Sequence, residues 1–263
     1  MPKAEAITSA QNPLLKDVRL AVRRQGPTRH GWWVAETFHL LEEALRSSVE
    51  VEAVLAAESA RAETERLLGR ARGIKLCVLP DKLFSGVSAT ETAQGVIALV
   101  KPPAWSLEDL FRGTPLILVL DGVQDPGNAG TIVRAAEAFG ATGAIFLKGT
   151  ARPSNPKAVR AAAGSLFRVP FVTGLQGGEA VRLLEERGVK VWVAMPAGCA
   201  APAEIDLDGP AALVIGSEAH GVSSEWSGRA AGVSIPTLGV ESLNAALAAG
   251  VLLYEAQRQR SRR

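Results

Sequence analysis

The sequence predicts an α/β protein of two domains, the second built on a parallel sheet with helices on both faces. Three observations predict it. Short apolar runs without two-residue alternation recur between helical patterns in the second half, as strands buried on both faces require. Glycines and polar residues gather at the ends of those runs, where α/β proteins keep their binding sites. The chain has 263 residues, 47% of them apolar, which is enough for two cores.

The boundary falls in KPPAWSLEDL. Pro102 and Pro103 continue neither a helix nor a central strand, and a new apolar run starts at Leu116. The expected domains are 1–101 and 107–263. No period of repeat length is visible.

The first domain reads as a small α/β sandwich. NPLLKDVRLAVRR places Leu14, Leu15, Val18 and Val22 on one helical stripe. A strand (WWVA), a helix from Thr37 to about Leu45 and a strand (VEAVLAA) follow. A charged helix (SARAETERLLGRA) and two strands (IKLCVLP, GVIALV) complete it. The second domain repeats strand then helix. LILVL leads to a helix from about Thr131, and Gly140 ends that helix in a left-handed cap. AIFL, a helix near 156–166, VPFV, a helix from Gly178 to Arg187, VKVWVA, AALVIG and VSIP follow. A long helix from about Ser242 closes the chain.

Several classes are excluded. No apolar run reaches membrane-spanning length, and MPKAEAITSAQNP lacks a signal-peptide core, so the expected compartment is the cytoplasm. Cys77 and Cys199 sit in or beside apolar runs and read as buried thiols. His30, His39 and His220 show no ligand spacing with them, so no metal is expected. Net charge is only +2, but residues 3–30 carry Lys3, Lys16, Arg19, Arg23, Arg24 and Arg29 against Glu5 and Asp17. The chain ends in Arg258, Arg260, Arg262 and Arg263. Such an arm and tail fit a footprint for phosphate backbone, and equally a set of solvated faces.

The chemistry concentrates in three stretches. The first is DGVQDPGNAGTIVRAAEAFG, from Asp121. Asp121 closes a strand, DPGNAG turns into a helix, and Asn128 is placed to cap it beside free N–H groups. Arg134 lies one turn further in. The second, VIGSEAHGV, ends a strand at Gly216 and carries Ser217, Glu218, Ala219, His220 and Gly221. The third, IPTLGVESLNAALAAGVLLYEA, turns at Gly239 and opens a helix with Ser242 as the expected cap and Asn244 beside it. Each stretch alone fits a capped turn as well as a ligand loop. G-x-G and Walker A patterns are both absent, so a nucleotide-like ligand needs another kind of site.

Together and in this order, the three stretches resemble the motifs of the SpoU (TrmH-like) family, the ribose-methylating branch of the SPOUT RNA methyltransferases. The resemblance covers about half the chain. It implies transfer of a methyl group from S-adenosylmethionine to a ribose 2′-hydroxyl of RNA, with rRNA favoured and tRNA as the alternative. It further implies a homodimer and a deep trefoil knot in the second domain, which periodicity does not show and the rarity of knots opposes. The matching catalytic positions are Asn128, Arg134, Glu218, Ser242 and Asn244. Leu213, Ile215, Gly216, Gly221, Ile235, Leu243 and Ala245 would hold the cofactor. Asn155, Arg160 and Gly164 in NPKAVRAAAGSLFRVP also match, as supporting RNA or loop contacts.

ITSAQNPLLKDVRLA and WWVAETFHLLEEAL resemble the ribosomal-protein-like substrate-binding domain of many SpoU proteins. There, Glu-Gly is common where this chain has Glu36-Thr37. Ala219 replaces a usual glycine, and Ala245-Ala246 a common Val-Ser. An arginine is always protonated, so Arg134 suits phosphate positioning and alkoxide stabilisation better than proton removal. His220 reads as solvent-facing. Base methylation and a non-catalytic role in RNA binding or ribosome assembly stay open, as does an antibiotic-resistance role.

Overall fold

A computed structural model describes residues 4–69, 71, 73–90 and 92–261. Lys3, Arg262 and Arg263 of the expected basic arm and tail lie outside them. In chain order the first elements are β1 (Ala4–Ala6), α1 (Pro13–Arg23), β2 (Trp33–Glu36), α2 (Phe38–Arg46) and β3 (Val51–Ala57). They are followed by α3 (Arg61–Leu68), β4 (Lys75–Leu79), α4 (Asp81–Ser85), β5 (Val96–Val100), β6 (Leu116–Asp121) and α5 (Pro126–Ala138). The remainder are β7 (Gly143–Phe146), α6 (Pro156–Ala161), β8 (Phe171–Thr173), α7 (Gly177–Glu186), β9 (Lys190–Ala194), β10 (Ala211–Gly216), β11 (Ala231–Val233) and α8 (Ala245–Arg260). Two compact units result. One is Met1–Pro103 with Pro153–Arg168, and the other is Ala104–Arg152 with Val169–Arg263.

The first unit holds a five-stranded sheet in the order β1-β4-β3-β5-β2. β1 and β3 run parallel to β4, whereas β5 is antiparallel to both β3 and β2. α1 starts where Asn12 accepts from the Leu14 N–H and Pro13 supplies a preset φ. Its Leu15 and Val18 are buried in the core, with Leu14 and Val22 packed at the edge. The short β1 and α4 have no apolar periodicity that would reveal them in the sequence. α6 belongs to this unit. Asn155 caps it through the Lys157 N–H, and Arg168 reaches the Glu43 carboxylate on α2. α6 stops at Ala161, short of the expected Leu166, because Ala163 and Gly164 take φ of 48° and 95° and break the helix.

Thr37 has φ 141° and ψ 156°, a backbone region that is nearly exclusive to glycine. A β-branched residue, Thr37, stands there. Its side chain compensates in part, accepting from the Leu40 N–H at 3.1 Å as the cap of α2. Strain of this kind costs about 1–3 kcal/mol, while a Thr-to-Gly cap change costs only about a few tenths. Thr37→Gly is therefore expected to raise the unfolding midpoint of this unit. An unchanged or lower midpoint in a thermal melt would show that the loop tolerates Thr37 without strain.

The second unit holds a six-stranded, fully parallel sheet in the order β11-β9-β10-β6-β7-β8. β6 and β10 are buried along nearly their whole length, as continuous apolar runs predict. Two helix starts differ from expectation. α5 begins at Pro126 and not near Thr131, because Asp125 accepts from the Asn128 N–H and Pro126 occupies the first helical position. Asn128 is thus inside the first turn and does not cap it. α8 begins at Ala245 with Asn244 as its cap, accepting from the Ala246 and Leu247 N–H groups. Ser242 lies two residues outside, so the expected serine cap is replaced by asparagine.

The end of α8 is fastened to the sheet. Arg260 donates to the carbonyls of Leu207, Gly209, Thr114 and Pro115 at 2.6–3.0 Å. Burial pulls its guanidinium below its ordinary pKa, against the pull of Asp208 and Asp206. Arg258 pairs with Glu255. The described part of the expected basic tail is therefore structural. Cys77 is buried and Cys199 half-buried, both as free thiols. Among the described residues no helix is long and apolar enough to cross a membrane.

Candidate active site

The site grows from two adjacent strand ends. β6 and β10 pair in register with Gly216 opposite Asp121, so the first two stretches leave the sheet side by side. After Gly216 the chain makes a tight loop. The Ser217 N–H donates to Gly221 O at 2.8 Å, the Gly221 N–H returns to Ser217 O at 2.9 Å, and the His220 N–H donates to Ser217 Oγ. The loop closes directly over Gly216, where a Cβ would come within 2.3 Å of the Gly221 carbonyl carbon. Only glycine permits that approach. Gly221 takes φ of 67°, whereas Ala219 is not among the residues with positive φ. Alanine at 219 therefore carries no backbone penalty.

The rest of this loop is held from below. Asp121 is 8% exposed, and its Oδ2 accepts from the Ser223 N–H at 2.6 Å and Trp226 Nε1 at 3.0 Å. Sequence reasoning placed Asp121 only at a strand end. An acid at the carboxyl end of an otherwise apolar strand was the available signal.

The three stretches meet at Glu218. Its Oε1 accepts from Asn128 Nδ2 at 2.6 Å and from Asn244 Nδ2 at 2.7 Å. Asn244 Nδ2 also donates to Asn128 Oδ1 at 3.2 Å. Asn244 thus uses its oxygen to start α8 and its nitrogen to hold Glu218. Glu218 is exposed and lines a cleft of about 470 Å³. Ile215, Gly216, Gly221, Ile235, Leu243 and Ala245 line this cleft, together with Ser242 and His220. Leu213 does not line it and is fully buried in β10. Arg134 stands exposed on α5, outside the cleft, with no hydrogen bond or ion pair among the described residues. Asn155, Arg160 and Gly164 are built into the first unit, where Gly164 packs on the Glu43 side chain.

Sequence reasoning missed one wall. Ala194, Met195 and Pro196, where β9 ends, face the cleft with Thr237 and Leu252. They carry no polar signature, and only the strand order β9-β10 brings them there. A cavity of this size, mostly apolar with a few polar groups and a backbone cradle over Gly216, suits a flat ligand with a polar end. S-adenosylmethionine fits that description: apolar walls for an adenine, backbone amides and carbonyls for polar atoms. Among the described residues no group of three His, Cys, Asp or Glu stands together as a metal site.

Comparison with known proteins agrees with this geometry. The profile of the SpoU rRNA Methylase family matches residues 115–254, and that of an MRM3-like substrate binding domain matches residues 12–98. The 23S rRNA (guanosine(2553)-2′-O)-methyltransferase RlmP of Bacillus subtilis is 33% identical over 94% of this chain and 97% of its own. The 23S rRNA (uridine(2479)-2′-O)-methyltransferase of Streptomyces viridochromogenes is 36% identical over 74% of this chain and 70% of its own. Among solved structures, the AdoMet-bound rRNA methyltransferase of Sinorhizobium meliloti superposes with a TM-score of 0.84 at 30% identity, covering 97% of this chain and 98% of its own. Fold, cleft and motif order therefore converge, and this chain belongs to the SpoU rRNA methylase family.

Proposed function

We propose that the protein transfers a methyl group from S-adenosylmethionine to a ribose 2′-hydroxyl of ribosomal RNA. The observation that carries the reading is the junction of Asn128, Glu218 and Asn244, one residue from each stretch, with Glu218 lining the cleft. Relatives named for a guanosine and for a uridine both match most of this chain, as expected when the acceptor is the sugar and not the base.

The cofactor supplies an electrophilic methyl group when bound. The loop over Gly216, with Ile235, Leu243 and Ala245, would hold it. Glu218, fixed by two amide donors, offers an oriented acceptor beside the cleft, and the Ser242 hydroxyl offers a second polar group there. Arg134, charged and unpaired, is available to a phosphate and to the developing alkoxide. Holding the acceptor hydroxyl in line with the methyl group accounts for much of the acceleration. The same reading includes knotted threading of the C-terminal segment and a cytoplasmic location, where ribosomes are assembled. It also includes a homodimer. Leu247 and Tyr254, seven residues apart on one face of α8, are more than half exposed and offer an apolar stripe to a second copy.

Labelled S-adenosylmethionine, total rRNA and tRNA from cells lacking the gene, and nucleoside identification test the reading. A 2′-O-methylated nucleoside in rRNA is the expected product. Arg134→Ala should lower transfer by about 100-fold or more while leaving cofactor affinity and folding intact, since its side chain supports nothing in the unit. Full activity in that variant would remove Arg134 from the mechanism.

A further inference from the structure

Residues 23–32, which join α1 to β2, form a rigid turn that no step of the proposed reaction uses. The Thr28 N–H donates to Trp32 O at 2.9 Å, and the Trp32 N–H donates to Thr28 Oγ1 at 3.1 Å. The buried Asp17 carboxylate accepts the Arg29 N–H at 2.9 Å and ties the turn to α1. At the tip, the His30 ring stacks on Trp32 with centroids 4.8 Å apart and planes inclined by 25°. Trp32 packs against the core of the unit, while His30 is exposed. One ring of this pair is half-buried against the core and the other is exposed.

Between Asp17 and Glu36 the chain carries no acidic residue. Arg23, Arg24 and Arg29 are exposed and make no ion pair or hydrogen bond through their side chains among the described residues. Glu36, the nearest acid in sequence, is buried and accepts from the Ala89 N–H and the Thr90 hydroxyl, and Asp17 is committed to the Arg29 backbone. Elsewhere in the chain, Arg46, Arg61, Arg66, Arg112, Arg187 and Arg258 all sit against carboxylates. An aromatic ring presented on a stiff turn among uncompensated arginines is what single-stranded nucleic acid needs: a face for a base and charge for its phosphates.

We infer that His30, backed by Trp32, is a stacking platform for one unpaired base of the RNA, with Arg23, Arg24 and Arg29 contacting the flanking phosphates. The inference rests on the RNA-directed function proposed above and adds where an unpaired nucleotide is read. Duplex RNA hides its base faces, so the platform discriminates single strands from helices. Because the turn is already hydrogen-bonded in its final shape, little ordering opposes binding.

The test uses the full chain and two labelled probes, a single-stranded 12-nucleotide oligoadenylate and a 12-base-pair RNA duplex, at several salt concentrations. His30→Ala should weaken single-strand binding by about ten-fold or more, as loss of one stacked base predicts, and leave duplex binding unchanged. His30→Phe keeps a ring and should restore the single-strand affinity. Replacing Arg23, Arg24 and Arg29 together by alanine should weaken both probes and flatten the salt dependence by about 2 in log–log slope. Equal effects of His30→Ala on the two probes, no effect, or no restoration by phenylalanine would overturn the platform. Cofactor binding by each variant reports on the second unit independently. If His30→Ala selectively loses the single strand while the protein methylates no RNA, the platform stands and the methyltransferase reading fails. If methylation proceeds and His30→Ala binds like the parent, the reverse holds.

Discussion

Gly216→Ala is expected to abolish measurable S-adenosylmethionine binding. The added methyl carbon would stand 2.3 Å from the Gly221 carbonyl carbon, 2.5 Å from its oxygen and 2.5 Å from the Val222 nitrogen. All three are backbone atoms, so no side-chain rotation relieves the clash and the loop must move as a whole. That loop carries Glu218, and its closure depends on the two Ser217–Gly221 hydrogen bonds. Opening it breaks the cleft wall and the junction with Asn128 and Asn244 in one step. A loss of about 100-fold or more in affinity is expected, because interface geometry and several hydrogen bonds fail together. Gly221→Ala is the calibrating variant. It meets open space but must hold φ of 67°, a penalty of about 1–2 kcal/mol. Calorimetric titration with the cofactor should rank parent above Gly221→Ala and Gly221→Ala well above Gly216→Ala. Parent-like affinity in Gly216→Ala would mean that this loop does not form the cofactor site.

Arg260→Ala is expected to cost the second unit about 3 kcal/mol or more of stability. One guanidinium serves four carbonyl oxygens, from the ends of the two connections that precede β6 and β10. Truncation leaves them with desolvated lone pairs, each worth about 1–3 kcal/mol if no water replaces the donor. The penalty is not confined to α8. Gln259, its neighbour, accepts from the Leu207 N–H and donates to Ile205 O, so the helix end and the 202–209 connection are one assembly. Arg260→Lys should recover only part of the loss, since one ammonium cannot reproduce the planar fork. Denaturant unfolding of the two variants checks both magnitude and order. A loss under about 1 kcal/mol for the alanine variant would mean that water fills the place of the guanidinium.

Much of the architecture was legible because its causes are local. Unalternating apolar runs announced the parallel sheet, whereas nothing in the sequence told that Pro153–Arg168 joins the unit whose first segment ends at Pro103. The helix starts were less legible. Asp, Asn and Ser all cap helices, and which one does so at 125–128 or 242–244 depends on where the strand before it releases the chain. The residues at Glu218 were nameable from the sequence, but their mutual hydrogen bonds were not, since 90 and 26 positions separate Glu218 from Asn128 and Asn244. The β9 wall of the cleft was hidden for a related reason: strand order, not composition, sets which apolar residues meet a ligand. The roles of Arg258 and Arg260 were not legible, because charge in a sequence does not say whether it faces solvent, a carboxylate or carbonyls.

The allocation of Pro153–Arg168 to the first unit has a consequence for how this chain is made. The polypeptide passes between units at 103/104, 152/153 and 168/169, so neither unit is a contiguous module. During synthesis the first unit emerges early yet stays unfinished until its last piece leaves the ribosome. By then β6, α5 and β7 have already appeared and must wait in turn for β9 and β10. Each half therefore matures with part of the other already out, and no single proteolytic cut or gene fusion junction can release one intact.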